Sequence, residues 1–400
     1  MRLAFFSPVN PIRSGISDYS ESLLWELRHL AEIDLFVNGY EPSEEWILKG
    51  FRIIDCEGTD PCSQLSDYDA VLYQMGGTPS HHEYIYRTML RYPGVLVLHD
   101  LMYQGFFENL LLRQGKLKEY VELMERYYGE EGVNLAQEIL DGRPPPIEVL
   151  RRYPLNEEMV HAATGVIVHS QFARDEVLGT RPDCRIQLIP HHDFGWSDEA
   201  AGCDESTIRS IARQELGIEE DMTVFASFGL IVPTKRIEVA LRAFRELRRS
   251  MKNARYYLVG EPKYHIHDYI RFLQLEDHVT ITGHVPLDRF RQFLDATDVC
   301  INLRFPSQGE TSGATLRMLA LGKPVVVTHQ AWFAELPDDA CAKLEVDIHE
   351  EETLAAFLEA LSREPAYRRQ MGINAHRHIA ETCSVSKIAE LYQDFLMGYS

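Results

Sequence analysis

"INLRFPSQGETSGATLRMLALGKPVVV" is the sequence of residues 301–327. It contains an apolar run, a polar loop with Glu310, a helix-like run that closes at Gly322-Lys323-Pro324, and a second apolar run. Short β-branched runs joined through a helix are typical of parallel strands that are buried on both faces. The stretch therefore predicts a strand, a loop, a helix and a second strand, with polar residues at the carboxyl end of the first strand.

The same alternation extends in both directions along the chain. In the first half the apolar runs are RLAFF (2–6), DLFV (34–37), AVLYQ (70–74), GVLVL (94–98), GVIV (165–168) and IQLI (186–189). In the second half they are TVFASFG (223–229), RYYLVGE (255–261), HVTITG (278–283), DVCINLR (298–304), KPVVVT (323–328) and CAKLEV (341–346). We predict an α/β fold of two tandem, Rossmann-like, doubly wound domains that face a cleft.

Breaks in this alternation suggest the domain boundaries. The strands and helices stop alternating after His99, which predicts a helical insertion at about 102–160 within an acceptor-side domain of residues 1–195. The acidic, small-residue stretch WSDEAAGCDES predicts a linker at 196–206. A nucleotide-sugar domain at 207–382 should follow. We expect the helix at 383–400 to pack back on the N-terminal domain.

Composition excludes several classes of function. The 61 acidic and 40 basic residues give a net charge of −21, which argues against a broad nucleic-acid surface. The seven cysteines form no CxxC pair, so reduced thiols are expected. The N-terminal apolar run is cut short by Pro8 and predicts a strand rather than a signal peptide, and no run approaches a membrane span. We predict a cytoplasmic protein; if it works at a membrane, it does so as a peripheral protein at the inner face.

The first candidate loop follows the first predicted strand. Ser14 and Gly15 precede a helix expected to open at Ser17 or Asp18, where unpaired N–H groups attract anions. The spacing matches neither GxGxxG nor a P-loop. A plain turn at Gly15, with Ser17 or Asp18 as the helix cap, remains an alternative.

Histidines follow several predicted strands. His99 comes directly after GVLVL, where an imidazole could donate a hydrogen bond or act as an acid or base. A structural histidine is the alternative. For the pairs His81-His82 and His191-His192 we favour structural or ligand-orienting roles over metal binding, because neither has a third ligand at suitable spacing.

Two loops in the second half carry charge. Lys235 lies just before a helix, where its ammonium and the helix N-terminus could hold a diphosphate, although a surface lysine is the alternative. Arg304 is at a strand exit and Glu310 at a helix entry, with Thr311, Ser312 and Gly313 expected in the first turn. The pair suits a ligand with an anionic part and hydroxyls, and the alternative is that Glu310 only caps the helix.

The chain contains a DxD sequence, but its position does not favour a metal site. Asp67-Tyr68-Asp69 matches the DxD pattern of metal-dependent sugar transfer but precedes its strand, at the end away from the expected site. We predict no metal ligands and no cofactor.

Taken together, the loops resemble the retaining glycosyltransferases of the two-domain GT-B fold, family 4 (glycosyl transferases group 1). The resemblance covers nearly the whole chain. Its segments include PVNPIRSGISDYSESLL (8–24), VLHD (97–100), GVIVHSQFARDEV (165–177), IPHHDFG (189–195), FGLIVPTKRIEVALRAF (228–244), YYLVGE (256–261), VTITGHVPLDRFRQFLDATDVCINL (279–303), PSQGETSGATLRMLALGKPVVV (306–327) and YRRQMGINAHRHIAETCSVSKIAELYQDFL (367–396).

The resemblance implies a role for each candidate residue. Ser14 and Gly15 are expected near the donor phosphates and the acceptor, and Lys235 at the diphosphate. His99 is expected at the transferred sugar and Glu310 at its hydroxyls, with the amides of Thr311, Ser312 and Gly313 beside it, and the backbone near Val285 should meet the nucleobase. Gly229 and Arg304 are also expected to bind the donor, and Arg304 or Arg236 could replace a cation that the family pattern has and this chain lacks. Two positions depart from the family pattern. Leu230 stands where an arginine is frequent, and Met318 stands where a second glutamate usually binds the donor ribose.

The implied function is retaining transfer of a hexose from a nucleoside diphosphate sugar to a glycan or lipid-linked acceptor, without metal, in polysaccharide biosynthesis. His99, Glu310 and Lys235 are the expected catalytic residues. Two alternatives remain open. One is a non-catalytic glycan-binding or partner-binding protein of this fold, and the other is a nucleotide-sugar epimerase or phosphorylase.

Overall fold

The computed structural model describes residues 1–197 and 204–398. These residues form two compact units. The first unit contains Met1–Phe194, Gln308–Thr311 and the chain from Val385 onward, and the second contains Gly195–Ser307 and Ser312–Ser384. Residues 198–203 of the predicted linker lie outside the described part of the chain.

The first unit is built on a parallel sheet of seven strands. The strands are β1 (Arg2–Phe6), β2 (Glu32–Val37), β3 (Arg52–Asp55), β4 (Ala70–Met75), β5 (Val95–Leu98), β6 (Gly165–Val168) and β7 (Ile186–Leu188). Their order is β3-β2-β1-β4-β5-β6-β7, and every pairing is parallel. The chain therefore reverses direction across the sheet between β1 and β4, which is the switch point of a doubly wound fold.

Both faces of this sheet are buried. Leu3 and Phe5 of β1 belong to one apolar cluster, whereas Ala4 and Phe6 belong to another. Successive side chains of a strand point to opposite faces, so a strand without polar positions must be covered on both sides. This confirms the buried parallel strands that the apolar runs predict.

Helices and turns cover the two faces of the first sheet. They are α1 (Gly15–Leu27), α2 (Glu45–Gly50), a 3-10 helix (Pro61–Asp67), α3 (Pro79–Arg91), α4 (Gln104–Phe107), a π-helical turn (Glu108–Leu112), α5 (Leu117–Leu140), α6 (Ile147–Leu150), α7 (Glu157–Ala162) and α8 (Gln171–Thr180). Helix α5 is interrupted at Gly129, whose φ is 59°. The elements from α4 to α7 form a helical segment between β5 and β6.

The last helix of the chain belongs to the first unit. Here we number it α17 (Val385–Met397), and its buried residues join the cluster that contains Leu3 and Phe5. The Tyr392 hydroxyl is 2.7 Å from the Tyr19 hydroxyl on α1. Gln393 donates to the carbonyl oxygen of Leu30 at 2.9 Å.

The second unit is built on a parallel sheet of six strands. They are β8 (Thr223–Phe228), β9 (Ala254–Val259), β10 (Val279–Ile281), β11 (Val299–Asn302), β12 (Val325–Thr328) and β13 (Ala342–Leu344), in the order β10-β9-β8-β11-β12-β13. Their helices are α9 (Glu205–Leu216), α10 (Ile237–Ser250), α11 (Ile266–Phe272), α12 (Leu287–Ala296), α13 (Gly313–Ala320), α14 (Ala331–Glu335), α15 (Glu350–Arg363) and α16 (Pro365–Thr382). The switch point of this sheet lies between β8 and β11.

Across residues 1–197 and 204–398, no helix has the length and apolar character needed to cross a bilayer. The cysteines in those ranges are free thiols: Cys56, Cys62, Cys184, Cys300, Cys341 and Cys383.

Candidate functional site

Histidines collect at the carboxyl edge of the first sheet. His99 follows β5, His169 follows β6, and His191 and His192 come after β7. Their rings surround Tyr19, with centroid distances of 4.8 Å to His99, 5.3 Å to His169, 4.6 Å to His191 and 4.3 Å to His192. We call these four histidines and Tyr19 the histidine cluster.

His99 is a partly exposed member of this cluster. Its backbone N–H donates to the Met75 carbonyl oxygen at 3.2 Å, and its Nε2 is 2.8 Å from Oε1 of Gln74. Burial, followed by the charges of His169, His82 and His192, holds the pKa of His99 well below its ordinary value. The lowered pKa favours the neutral imidazole, a form that can both donate and accept a hydrogen bond.

The loop after β1 brings a helix N-terminus to the same edge. Ser14 is the N-cap of α1, and its hydroxyl accepts from the Ser17 N–H at 3.0 Å. The expected opening at Ser17 or Asp18 was therefore wrong, because the Ser14 cap starts the helix at Gly15. Gly15 is exposed, and a Cβ added there would meet no atom within 4 Å. Its surroundings leave room for a ligand to approach the first turn.

Lys235 lies at the switch point of the second sheet. It ends a 3-10 turn, Pro233–Lys235, and its side chain folds back so that Nζ donates to the Phe228 carbonyl oxygen at the end of β8. Only 7% of Lys235 is exposed, so it is not the surface lysine of the alternative interpretation. A Cβ added to Gly229 would lie 2.9 Å from Nζ. The ammonium group therefore sits directly over the Gly229 backbone.

Arg304 reaches the same turn from β11. Its Nη1 donates to the Thr234 hydroxyl at 3.1 Å, and the Phe305 N–H donates to the Thr234 carbonyl oxygen at 2.7 Å. The neighbouring Arg236 instead makes a two-pronged ion pair with the buried Glu350. Arg304 thus contacts the turn that ends at Lys235, at the edge where α/β sheets bind ligands.

The N-terminus of α13 faces the same edge. Ser312 is its N-cap, accepting from the Thr315 N–H at 3.2 Å, and the Asn302 amide at the end of β11 donates to Ser312 Oγ at 3.2 Å. Helix α13 begins at Gly313, so the expectation that Thr311 and Ser312 lie in its first turn was wrong. The Ser312 hydroxyl therefore pairs one N–H of the first turn, and Thr311 precedes this cap.

Glu310 is not the cap of α13. Its Oε2 accepts from the Gln308 N–H at 2.7 Å inside its own loop, which fixes the carboxylate three residues ahead of the helix. The segment Gln308–Thr311 groups with the first unit, although the predicted domain at 207–382 includes it. Within that unit the Leu101 N–H donates to the Gln308 carbonyl oxygen at 3.0 Å. Leu101 is two residues after His99 in the chain.

Three further positions differ in exposure. Val285 is half-buried in the loop between β10 and α12. Leu230, where the family often has arginine, is 52% exposed beside Gly229. Met318 is fully buried. The position of the family's second glutamate therefore belongs to the apolar core of the second unit.

The DxD sequence has a structural role. Oδ2 of Asp69 accepts from the Arg2 N–H at 2.7 Å, and the Asp67 carbonyl oxygen accepts from Nη1 of Arg2 at 3.1 Å. These contacts lie at the amino ends of β1 and β4. Over residues 1–197 and 204–398, no three histidine, cysteine or carboxylate side chains are grouped as metal ligands.

Gln74, Tyr19 and His169 are not among the predicted site residues. His169 carries a recognisable signal, since it follows the apolar run GVIV as His99 follows GVLVL. Gln74 is the last residue of the apolar run AVLYQ, and only the pairing of β4 with β5 brings it beside His99. Tyr19 looks like any apolar residue of α1 until the strands are assembled.

Comparisons with known proteins agree with this architecture. The glycosyl transferases group 1 model matches residues 208–378. D-inositol 3-phosphate glycosyltransferase of Kineococcus radiotolerans is 28% identical over 244 residues, covering 55% of this chain and 54% of the relative. Alpha-monoglucosyldiacylglycerol synthase of Streptococcus pneumoniae is 25% identical over 209 residues, covering 52% and 46%. The chain thus spans about half the length of these curated relatives.

A solved structure matches over the whole length. The crystal structure of Anabaena HepE in complex with UDP and glucose has a TM-score of 0.69, with 16% identity and coverage of 100% of both chains. At that identity the likeness concerns the fold. Residues 208–378 therefore match the glycosyl transferases group 1 family, and the two doubly wound parallel sheets have the GT-B fold.

Proposed function

We propose that this protein is a retaining glycosyltransferase that moves a hexose from a nucleoside diphosphate sugar to a glycan or lipid-linked acceptor. The observation that carries the proposal is the buried ammonium group of Lys235, held over Gly229 at the switch point of a group 1 domain. Open α/β sheets bind ligands at that point, and a fixed cation there suits a diphosphate.

The leaving diphosphate gains charge as the glycosidic bond breaks. Arg304 contacts the turn that ends at Lys235, and the N-terminus of α13 adds the partial positive charge of a helix end. Each charged hydrogen bond contributes roughly 1.5–3 kcal/mol. Preorganised groups of this kind stabilise a transition state without reorienting, so the proposed reaction needs neither a metal ion nor a cofactor.

The sugar would be held by groups that make hydrogen bonds. Glu310 has a carboxylate fixed by the Gln308 N–H, and His99 is neutral and partly exposed. Gly15 leaves space beside the N-terminus of α1 for phosphate or acceptor, and the backbone near Val285 would meet the nucleobase. In the proposed mechanism the leaving-group oxygen takes the acceptor's proton, and the product keeps the anomeric configuration of the donor.

The relatives support the substrate class. HepE was crystallised with UDP and glucose, and one relative is named for a glucosylated diacylglycerol. By analogy we propose a nucleoside diphosphate hexose as donor. We further propose that the reaction occurs in the cytoplasm, at the inner face of the membrane where the acceptor is lipid-linked, and serves polysaccharide biosynthesis.

A second candidate is a non-catalytic binding protein of the same fold. The full burial of Met318 favours it, because the chain lacks the carboxylate that the family uses for the donor ribose. The exposed Leu230, at a position where the family often has arginine, also favours a non-catalytic protein. Each lost charged contact would weaken donor affinity about 10- to 100-fold.

A transfer assay with a panel of nucleoside diphosphate sugars and glycan or lipid acceptors separates the candidates. Lys235→Ala and Glu310→Gln should each lower kcat/KM at least 10-fold, whereas Lys252→Ala, at an exposed lysine before β9, should keep full activity. NMR of the product reads the anomeric configuration. Full transfer by both site variants would overturn the proposal.

Other outcomes identify the rival functions. Binding of glycan without nucleotide binding or transfer would indicate the non-catalytic protein. Isomerised donor without acceptor would indicate an epimerase, and phosphate-dependent breakdown of a glycan would indicate a phosphorylase.

A further inference from the structure

Gln74 occupies a position that the proposed mechanism does not use. It is the fifth residue of β4, beside the switch point of the first sheet, and it is completely buried. The neighbouring residues on β4, Tyr73 and Met75, are apolar-core residues. A buried primary amide loses its hydration and needs protein partners for both of its ends.

One end of the amide binds His99. Oε1 of Gln74 is 2.8 Å from Nε2 of the imidazole. An amide oxygen can only accept, so this contact requires a proton on Nε2. A neutral imidazole has one N–H and one lone pair, which leaves the lone pair on Nδ1.

The other end of the amide lies beside α17. Burial raises the pKa of the Tyr392 hydroxyl, and the neighbouring Tyr19 and Gln74 side chains lower it. Within the described part of the chain, Nε2 of Gln74 makes no hydrogen bond of normal geometry. Tyr392 and Tyr19 share a 2.7 Å hydrogen bond, so the amide is set between His99 and a tyrosine pair.

The ring of His99 is also confined by packing. Tyr19 meets it edge-on at 4.8 Å, and His169 lies at 5.0 Å. These contacts restrict the plane of the ring but do not choose which nitrogen carries the proton. Gln74 supplies that choice.

We infer that Gln74 is a positioning residue that holds His99 as its Nε2–H tautomer, so that Nδ1 accepts a hydrogen bond from a hydroxyl of the transferred sugar. The inference rests on the proposed function for the sugar contact, but the tautomer itself does not. Acceptance by His99 complements Glu310, whose carboxylate also only accepts. A site lined by acceptors selects hydroxyl donors.

The tautomer can be measured without any activity. Long-range ¹H–¹⁵N correlations of histidine-labelled protein, with His99→Gln used for assignment, should show a neutral Nε2–H ring for His99. In Gln74→Leu the same ring should lose its single tautomer, and kcat/KM should fall about 10-fold. Gln187→Leu, at an exposed glutamine on β7, should change neither.

A second variant protects the test against misfolding. Gln74→Glu keeps the shape and places a carboxylate next to Nε2, which should raise the pKa of His99 and move the acid limb of the kcat/KM profile to higher pH. An Nδ1–H tautomer in the wild type, or an unchanged His99 in both variants, would overturn the inference. A correct tautomer in a protein without transferase activity would instead refute the proposed function alone.

Discussion

Replacement of Gly229 by alanine tests the placement of Lys235 through the backbone. The φ of Gly229 is +84°, in the region that L-residues disfavour, and an added Cβ would lie 2.9 Å from Nζ of Lys235. The backbone strain alone costs about 1–2 kcal/mol of stability. The ammonium must also move by about 0.5 Å or more to reach ordinary van der Waals separation.

A displaced ammonium should reduce transition-state stabilisation more than it reduces stability. Loss of a charged hydrogen bond corresponds to about 1.5–3 kcal/mol, so Gly229→Ala should lower kcat/KM about 10- to 100-fold. Gly217→Ala provides the matched control. Gly217 has a φ of +67° at the end of α9, and a Cβ there would meet no atom within 4 Å.

The assay is a double-mutant cycle. Chemical denaturation should give similar destabilisation for Gly229→Ala and Gly217→Ala, whereas only Gly229→Ala should lose transfer activity. In a Lys235→Ala background, Gly229→Ala should cost little further activity, because the group it displaces is gone. Equal activity losses for the two glycine variants, or additive losses in the cycle, would refute the placement of Lys235.

Three other predictions concern stability and ligand binding. Burial lowers the pKa of His169 to about 4, below the value of about 6.5 that a histidine has in an unfolded chain. As the pH falls through this range, the unfolded chain binds a proton that the folded protein does not, so the free energy of unfolding should drop by about 1.4 kcal/mol per pH unit from this group. Free energies of unfolding from urea titrations at several pH values should therefore depend less on pH in His169→Gln than in the wild type. Met318→Glu should place a carboxylate in the core and lower thermal stability without improving donor affinity, while Met318→Leu should cost less than about 1.5 kcal/mol; tighter donor binding by the glutamate variant would contradict its burial. Arg236→Ala should destabilise the protein by about 3 kcal/mol, because it leaves Glu350 unpaired. Arg304→Ala should mainly weaken diphosphate binding. Calorimetry that found weaker diphosphate binding in Arg236→Ala and lower stability in Arg304→Ala would contradict both assignments.

The sequence predicted the architecture because its signals are local. Continuous apolar runs such as AVLYQ and KPVVVT mark strands buried on both faces, and helices between them require parallel pairing. The loops at strand ends were found for the same reason, since His99 directly follows an apolar run and Lys235 lies in the loop after another. Strand order then places Lys235 at the switch point of the second sheet and His99 on the strand next to β4 in the first.

Details that depend on tertiary contacts could not be predicted. Ser14 and Ser312 were not identified as the caps, because several hydroxyls and carboxylates nearby could serve equally well. The burial of Lys235 depends on how its side chain folds over Gly229, which no sequence spacing encodes. The contact between Gln74 and His99 joins two strands and becomes visible only in the assembled sheet.

Calorimetric titration of the wild type and Lys235→Ala with nucleoside diphosphates tests the central claim most directly. We expect saturable binding of at least one nucleoside diphosphate to the wild type, and affinity about 10- to 100-fold weaker in Lys235→Ala. Lys252→Ala should bind as the wild type does. Absence of binding to the wild type at millimolar concentrations, or equal affinity in Lys235→Ala, would contradict a donor diphosphate at the switch point of the second sheet.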